Sequence, residues 1–159
     1  MGRTKECHVF KFERLILTAI KNSLEVGIRY QNAKEAERVR VIGNQGYELA
    51  VLLPDNTLEI AYKHAIESVE FNGLRTHDIA PGPAVKSEYD AEPVLDYVVE
   101  TMGGVVVKMI NGDIIEAKLV AKEKYFLTFE MDGDLYRSVN KAHISRINVG
   151  AKEDIFRRP

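Results

Sequence analysis

The stretch AYKHAIESVEF, from Ala61 to Phe71, places a lysine and a histidine at a tight corner between two alternating runs. The run TLEIAY leads into the corner and the run AIESVEF leaves it, and alternation with a period of two is typical of half-buried strands. A similar corner, NKAHI at 140–144, lies between LYRSV and SRINV. A corner of this kind that occurs twice indicates an internal repeat.

Each corner closes a series of elements that runs in the same order. The segment FKFERLILTAIKNS carries apolar residues at spacings of three and four, which predicts an amphipathic helix. Four strand-like runs and a Pro-Asp-Asn turn at 54–56 then lead to the first corner. The second series begins with a shorter helical stripe after Pro93 that stops at Gly103-Gly104. Its strands are joined by Asn111-Gly112 and Asp132-Gly133, which are strong hairpin signals because both residues tolerate positive φ.

These patterns predict a mainly β protein made of two tandem units, each a helix followed by a five-stranded, bent antiparallel sheet. The first unit is predicted at 1–72 and the second at 93–150, with a tail at 151–159. The segment between them, 73–92, is predicted to be a linker, because it contains prolines, glycines and scattered charge without sustained periodicity.

The composition restricts the classes of function. The 159 residues are 45% hydrophobic and 29% charged, which is ordinary for a globular protein, and the net charge is −2. Nucleic-acid binding would therefore need a local cluster of cations, since no overall positive field exists. Cys7 is the only cysteine, so an intrachain disulfide is excluded. No apolar run approaches the roughly 20 residues that cross a bilayer, and MGRTKECHVF lacks the apolar segment of a secretory signal, so a cytoplasmic protein is expected.

The first corner, YKHAI at 62–66, matches residue for residue the second signature of the Hfq branch of the Sm-like family of RNA-binding proteins. The second half resembles the same family through Asn111-Gly112 in the first signature and along KLVAKEKYFLTF, but its histidine is displaced by one residue. The resemblance implies that both predicted units are Sm-like small open barrels.

The resemblance also implies an assembly. In this family the fourth and fifth strands pair with neighbouring units and close six of them into a ring, which removes the exposed strand edges. Two units in one chain would allow a homo-trimer with six units, which we favour, or a hexamer of two stacked rings. In either assembly the corner lysines would gather around a central opening.

The implied function is the binding of single-stranded, U-rich RNA near that opening, as a post-transcriptional regulator or RNA chaperone. In the family, the corner lysine and histidine contact uridine and phosphate, and an aromatic residue of the preceding strand stacks on the base. That aromatic position falls on Tyr125 in the second half and on Leu49 in the first, with Tyr47 nearby on the other side of the strand. The RNA-binding residues implied in this way are Lys63, His64, Tyr125, Lys141, His143, Tyr62 and Leu49.

Other family features are missing. Where the family has an adenine-stacking tyrosine in its first strand, this chain has Arg29 and Lys108, and only Lys21 remains of an arginine-rich patch. An alternative is therefore an Sm-like ring that lost its RNA sites and serves as a protein-interaction scaffold.

An enzyme is not expected. The histidines lack zinc-ligand spacing, and no glycine-rich phosphate loop occurs. We therefore expect no catalytic residues, no metal and no cofactor.

Overall fold

The structure is a computed structural model, which describes residues 10–81 and 85–157. Cys7, His8 and Arg158, and residues 82–84 of the predicted linker, lie outside the described residues. The two helices are α1, Phe12–Lys21, and α2, Ala91–Thr101. The ten strands are β1 Glu25–Tyr30, β2 Glu37–Gln45, β3 Glu48–Leu52, β4 Thr57–Tyr62, β5 Ile66–Glu70, β6 Gly104–Met109, β7 Ile114–Lys122, β8 Phe126–Glu130, β9 Tyr136–Asn140 and β10 Ile144–Ala151.

The helices and turns lie where local sequence patterns place them. The apolar stripe of α1 buries Ile16 and Ala19 in one cluster with residues of the sheet, and Leu17 is also buried. Helix α2 starts two residues before Pro93. It ends at Thr101, and Met102, with a φ of 50°, and the two glycines follow it. Gly112 has a φ of 98°, as the tight turn between β6 and β7 requires.

The strands do not form two sheets. The prediction of two tandem Sm-like units, each with its own helix and five-stranded sheet, is wrong: one open antiparallel sheet contains all ten strands, in the order β5-β1-β2-β3-β4-β10-β6-β7-β8-β9. Helix α1 precedes the ten strands in the chain, whereas α2 lies between β5 and β6. The two strand sets, β1–β5 and β6–β10, are joined where β4 pairs with β10, and this pairing satisfies backbone groups that separate sheets would leave at two open edges.

The β4–β10 junction, which we call the seam, is stabilised by apolar and ionic contacts. Ile60 and Ile147 lie opposite each other and belong to one buried cluster with residues of both strand sets. Beside them Glu59, whose side chain is 1% exposed, receives Lys108 Nζ at 3.1 Å. The amide of Asn148 donates to Glu59 at 3.3 Å, and Arg146 Nη1 lies 3.7 Å from its second oxygen. Three partly exposed polar side chains thus surround the buried carboxylate of Glu59, which would be strongly destabilising if it were unpaired.

Helix α2 also contacts the first strand set. The carboxylate of Asp90, just before α2, accepts a hydrogen bond from the backbone N–H of Asn44 on β2 at 3.1 Å. This approach requires Gly43, because a Cβ at that position would lie 2.7 Å from the same carboxylate. The start of α2 is therefore positioned over β2, close to the turn that leads into β3.

Part of the predicted linker packs on α1. The backbone N–H of Ala80 donates to the hydroxyl of Thr18 at 2.8 Å, and Ile79 is buried. The division into a first unit, a linker, a second unit and a tail stays a prediction.

Candidate nucleic-acid interface

The two corners have the same local structure. Lys63–Ala65 and Lys141–His143 each form one turn of 3-10 helix between two strands. The N–H of Lys63 donates to the carbonyl of Tyr47 at 2.8 Å, and the N–H of Lys141 donates to the carbonyl of Tyr125, also at 2.8 Å. The backbone of each corner lysine is thus hydrogen-bonded to a tyrosine that lies just before the neighbouring strand.

This pairing places Tyr47, and not Leu49, at the position equivalent to Tyr125. Strand registers agree, because Glu48 lies opposite Tyr62 just as Phe126 lies opposite Asn140. Tyr47 is 80% exposed and Tyr125 is 63% exposed, so a ligand can reach both rings. Leu49 is wholly buried in the core, and we exclude it from the interface. The family resemblance put the aromatic position on Leu49, two residues further along the chain, because the hydrogen bond that identifies Tyr47 as the equivalent residue forms only in the folded chain.

At the first corner, the side chains of Lys63 and His64 are held by contacts within the chain. Lys63 Nζ lies 3.0 Å from a carboxylate oxygen of Glu13 and 2.8 Å from the carbonyl of Gly46. His64 Nε2 lies 3.0 Å from the carbonyl of Ile144, across the seam. Burial alone raises the pKa of Glu13, but hydrogen bonds from Asn44 and Lys63 outweigh it and lower the pKa below its ordinary value. A ligand would have to compete with Glu13 for Lys63.

The other implied residues divide into buried and exposed ones. Tyr62 is buried, and its ring stacks on His64 with centroids 5.5 Å apart, so Tyr62 supports the histidine and does not face solvent. His143 is exposed and Lys141 is half-buried. The displaced histidine of the second corner is thus free of the seam contact that holds His64.

A groove of about 440 Å³ connects the two strand sets beside these corners. Its size falls in the range of roughly 300–1,000 Å³ that is usual for small-molecule sites. One wall is the β2–β3 turn with Tyr47, and the other is the β7–β8 turn with Lys122 and Lys124. Lys141 and Glu48 lie along it, and the start of α2 completes it. No pattern in the sequence groups Tyr47 with Lys122 and Lys124, because they meet only through the pairing of β4 with β10.

The groove contains acids as well as lysines. Burial raises the pKa of the Glu48 carboxyl, although the charge of Lys141 acts in the opposite direction. Burial lowers the pKa of Lys141, while the charge of Glu48 raises it. Lys122 Nζ is bound to Asp96 at 2.6 Å. The positive charge available to a ligand is therefore smaller than the number of lysines suggests.

Tyr125 is a second exposed aromatic ring; it directly follows Lys124, which lines the groove, but it is not itself one of the lining residues. Lys124 Nζ lies 5.2 Å from the centroid of the Tyr125 ring, which is cation–π distance. Proteins that bind single-stranded nucleic acids commonly combine exposed aromatic rings with lysines. The bases stack on the rings, and the phosphates bind the cations.

The residues at the position of the family's adenine-stacking tyrosine are engaged elsewhere. Arg29 pairs with Glu67 at 3.4 Å, and Lys108 is held by the buried Glu59. Both cations therefore already have carboxylate partners within the sheet.

Two findings concern only residues 10–81 and 85–157. No group of three or more histidine, cysteine, aspartate or glutamate side chains there is placed to hold a metal ion. No helix in that part of the chain is long and apolar enough to cross a membrane.

Comparison with known proteins leaves the site to be judged on its geometry. A scan against models of protein families gives no match, and neither does a search of curated proteins.

Proposed function

We propose that the chain binds single-stranded RNA in the groove between the β2–β3 and β7–β8 turns, as a post-transcriptional regulator of the Hfq type. The observation that carries this proposal is the pair of exposed tyrosines, Tyr47 and Tyr125, each hydrogen-bonded through its carbonyl to a corner lysine. Stacking of a base on such a ring contributes about 1–3 kcal/mol and is tolerant of sequence.

The proposed contacts differ between the two corners. At the second corner Lys141, His143 and Tyr125 would contact phosphate and base directly. At the first corner Tyr47 would stack on a base. Lys63 would bind a phosphate only after its ion pair with Glu13 is broken. His64 would orient the corner through its bond to the Ile144 carbonyl. We therefore expect the second corner to contribute more of the affinity.

The assembly proposed for this function is a closed trimer of identical chains, in which three such grooves lie around one opening. Grooves in one ring would let a single RNA strand contact several of them at once, which strengthens binding without new contacts within any groove.

Fluorescence anisotropy with labelled uridine and adenosine oligomers tests RNA binding. Tyr47→Leu and Tyr125→Leu should each weaken binding about fivefold to a hundredfold, because the stacking surface is removed. Lys141→Ala should weaken binding and reduce the slope of log affinity against log salt by about 0.7 for each phosphate that the lysine no longer neutralises.

Matched controls distinguish the loss of a binding contact in the groove from general effects of a substitution on the protein. Tyr47→Phe and Tyr125→Phe keep the ring and should bind as the unaltered chain does. Arg75→Ala removes an exposed cation outside the groove and should change neither affinity nor salt slope. No binding of either oligomer at low salt, or equal losses of affinity in the leucine and phenylalanine variants, would refute the proposal.

A second candidate function is a protein-interaction scaffold without RNA sites. The observation that favours it is the engagement of the first corner, where Lys63 is bound to Glu13 and His64 is bound across the seam. If this candidate is correct, the oligomers will not bind, and the groove variants will leave self-association unchanged.

A further inference from the structure

The groove has two walls that differ in their chemistry. Gln45, Tyr47 and Glu92 lie on one side, at the β2–β3 turn and at the start of α2, and we call this side the base wall. Lys122 and Lys124 lie on the other side, at the β7–β8 turn. A nucleotide bound between the walls would therefore place its base against the ring of Tyr47 and its phosphate against the lysines.

The base wall is held together by contacts between the β2–β3 turn and α2. The backbone N–H of Glu92 donates to the side-chain oxygen of Gln45 at 2.9 Å, which also fixes the orientation of the Gln45 amide. The nitrogen of that amide donates to a carboxylate oxygen of Glu92 at 3.4 Å. Gln45 is half-buried, whereas Glu92 is exposed. The carboxylate of Glu92 is thus held beside the groove and can still be reached by a ligand.

The polar groups of the base wall mainly accept hydrogen bonds. In its ionised form the carboxylate of Glu92 accepts hydrogen bonds and donates none. The side-chain oxygen of Gln45 and one of its N–H groups are already used in the contacts with Glu92. Glu48 adds a second carboxyl group to the lining of the groove. The edge of a base that faces this wall therefore needs to present a donor.

We infer that Glu92 makes the groove prefer cytidine to uridine in single-stranded RNA, by accepting a hydrogen bond from the exocyclic amino group of cytosine. Acidic side chains accept from this amino group in complexes with DNA. Uracil has a carbonyl oxygen at the same ring position, and its one ring N–H lies between two carbonyl oxygens that repel a carboxylate. The two bases have rings of the same size, so stacking on Tyr47 contributes similarly to both.

This preference rests on the proposed RNA binding and differs from the U-rich preference that the family resemblance implies. Fluorescence anisotropy with labelled cytidine and uridine oligomers of equal length, on the full chain, measures it. We expect the cytidine oligomer to bind about tenfold more tightly, because a hydrogen bond to a charged group is lost with uridine. Equal affinities, or tighter binding of uridine, would overturn the inference and leave RNA binding intact. No binding of either oligomer at low salt would overturn both.

Glu92→Gln tests whether this residue causes the preference. The amide keeps the shape of the side chain but offers a donor as well as an acceptor, so it can also bind the uracil carbonyl. The ratio of the two affinities should therefore fall to about one. If Glu92 acted only through its negative charge, its removal would strengthen binding of both oligomers by the same factor and leave the ratio unchanged, which would overturn the inference.

Glu123→Gln is the matched control, because Glu123 lines the groove between Lys122 and Lys124. It removes the same charge from the opposite wall, so it should strengthen binding of both oligomers equally and keep the ratio of the unaltered chain. A ratio that falls by the same factor in both variants would also overturn the inference. Far-UV circular dichroism verifies that each variant is folded.

Discussion

Glu48 is one of the charged residues that line the groove. It lies on β3 beside Tyr47, and its carboxylate acts on Lys141 across the junction of the strand sets. Burial raises its pKa, so the folded chain holds the proton more tightly than the unfolded chain does. As the Glu48 carboxyl ionises with rising pH, this difference lowers the stability of the fold.

Glu48→Gln should therefore stabilise the chain at neutral pH. The advantage should disappear as the pH falls below the ordinary carboxyl pKa of 4.5, because Glu48 is then neutral in both states. Thermal unfolding of both proteins, measured from about pH 4 to about pH 7, follows the difference through the range in which the carboxyl titrates. A stability difference that is constant across this range, or that has the opposite sign at neutral pH, would show that burial does not control Glu48.

Tyr47 is exposed because it lies just before the start of β3. Alternation predicts which residues of β3 face the core, and Leu49 does so. It does not show that the strand starts at Glu48, which leaves Tyr47 at the end of the turn and exposed. The hydrogen bond from the Lys63 N–H to the Tyr47 carbonyl, which identifies the equivalence with Tyr125, is formed only in the folded chain.

The pairing of β4 with β10 is stabilised by an ionic cluster around the buried Glu59. Arg146 is 16% exposed, pairs with Glu37, and lies over the Tyr30 ring at 4.1 Å. Its pKa is raised, because the attraction of Glu59 and other neighbouring groups outweighs the burial that would lower it. Removal of Arg146 would leave Glu59 buried with less positive charge around it.

We expect Arg146→Met to lower the free energy of unfolding by about 3–5 kcal/mol, as is usual when one partner of a buried ion pair is removed. Arg38→Met is the matched control, since Arg38 pairs with Glu25 on the surface at 3.5 Å and should contribute less than about 1 kcal/mol. Urea unfolding followed by circular dichroism measures both. Equal effects of the two substitutions would mean that the seam does not depend on its charges.

At the scale of the whole molecule, the two strand sets share a core. Leu58 and Ile60 of β4 belong to the same buried cluster as Val94 and Leu95 of α2 and Ile147 of β10. Separation of the sets would expose this cluster together with two strand edges. The two sets should therefore unfold together.

Calorimetry should show one unfolding transition, with a van't Hoff enthalpy equal to the calorimetric enthalpy. The same midpoint should be found by tyrosine fluorescence and by far-UV circular dichroism. Two separated transitions would instead indicate two independently stable units joined by the segment 73–92.

Local structure could be predicted from the sequence, because apolar spacing indicates the helices, alternation indicates the strands, and glycine or asparagine indicates the tight turns. The sequence also indicated the repeat and the two lysine corners. The pairing of β4 with β10 is known only from the folded chain, and so are the contacts of Glu59 with Lys108 and Arg146 and the groove that Tyr47 shares with Lys122 and Lys124. The physical reason is that backbone hydrogen bonds are the same for every residue, so an open strand edge does not specify its partner. Partner choice depends on side chains that are distant in sequence and meet only when the sheet has formed.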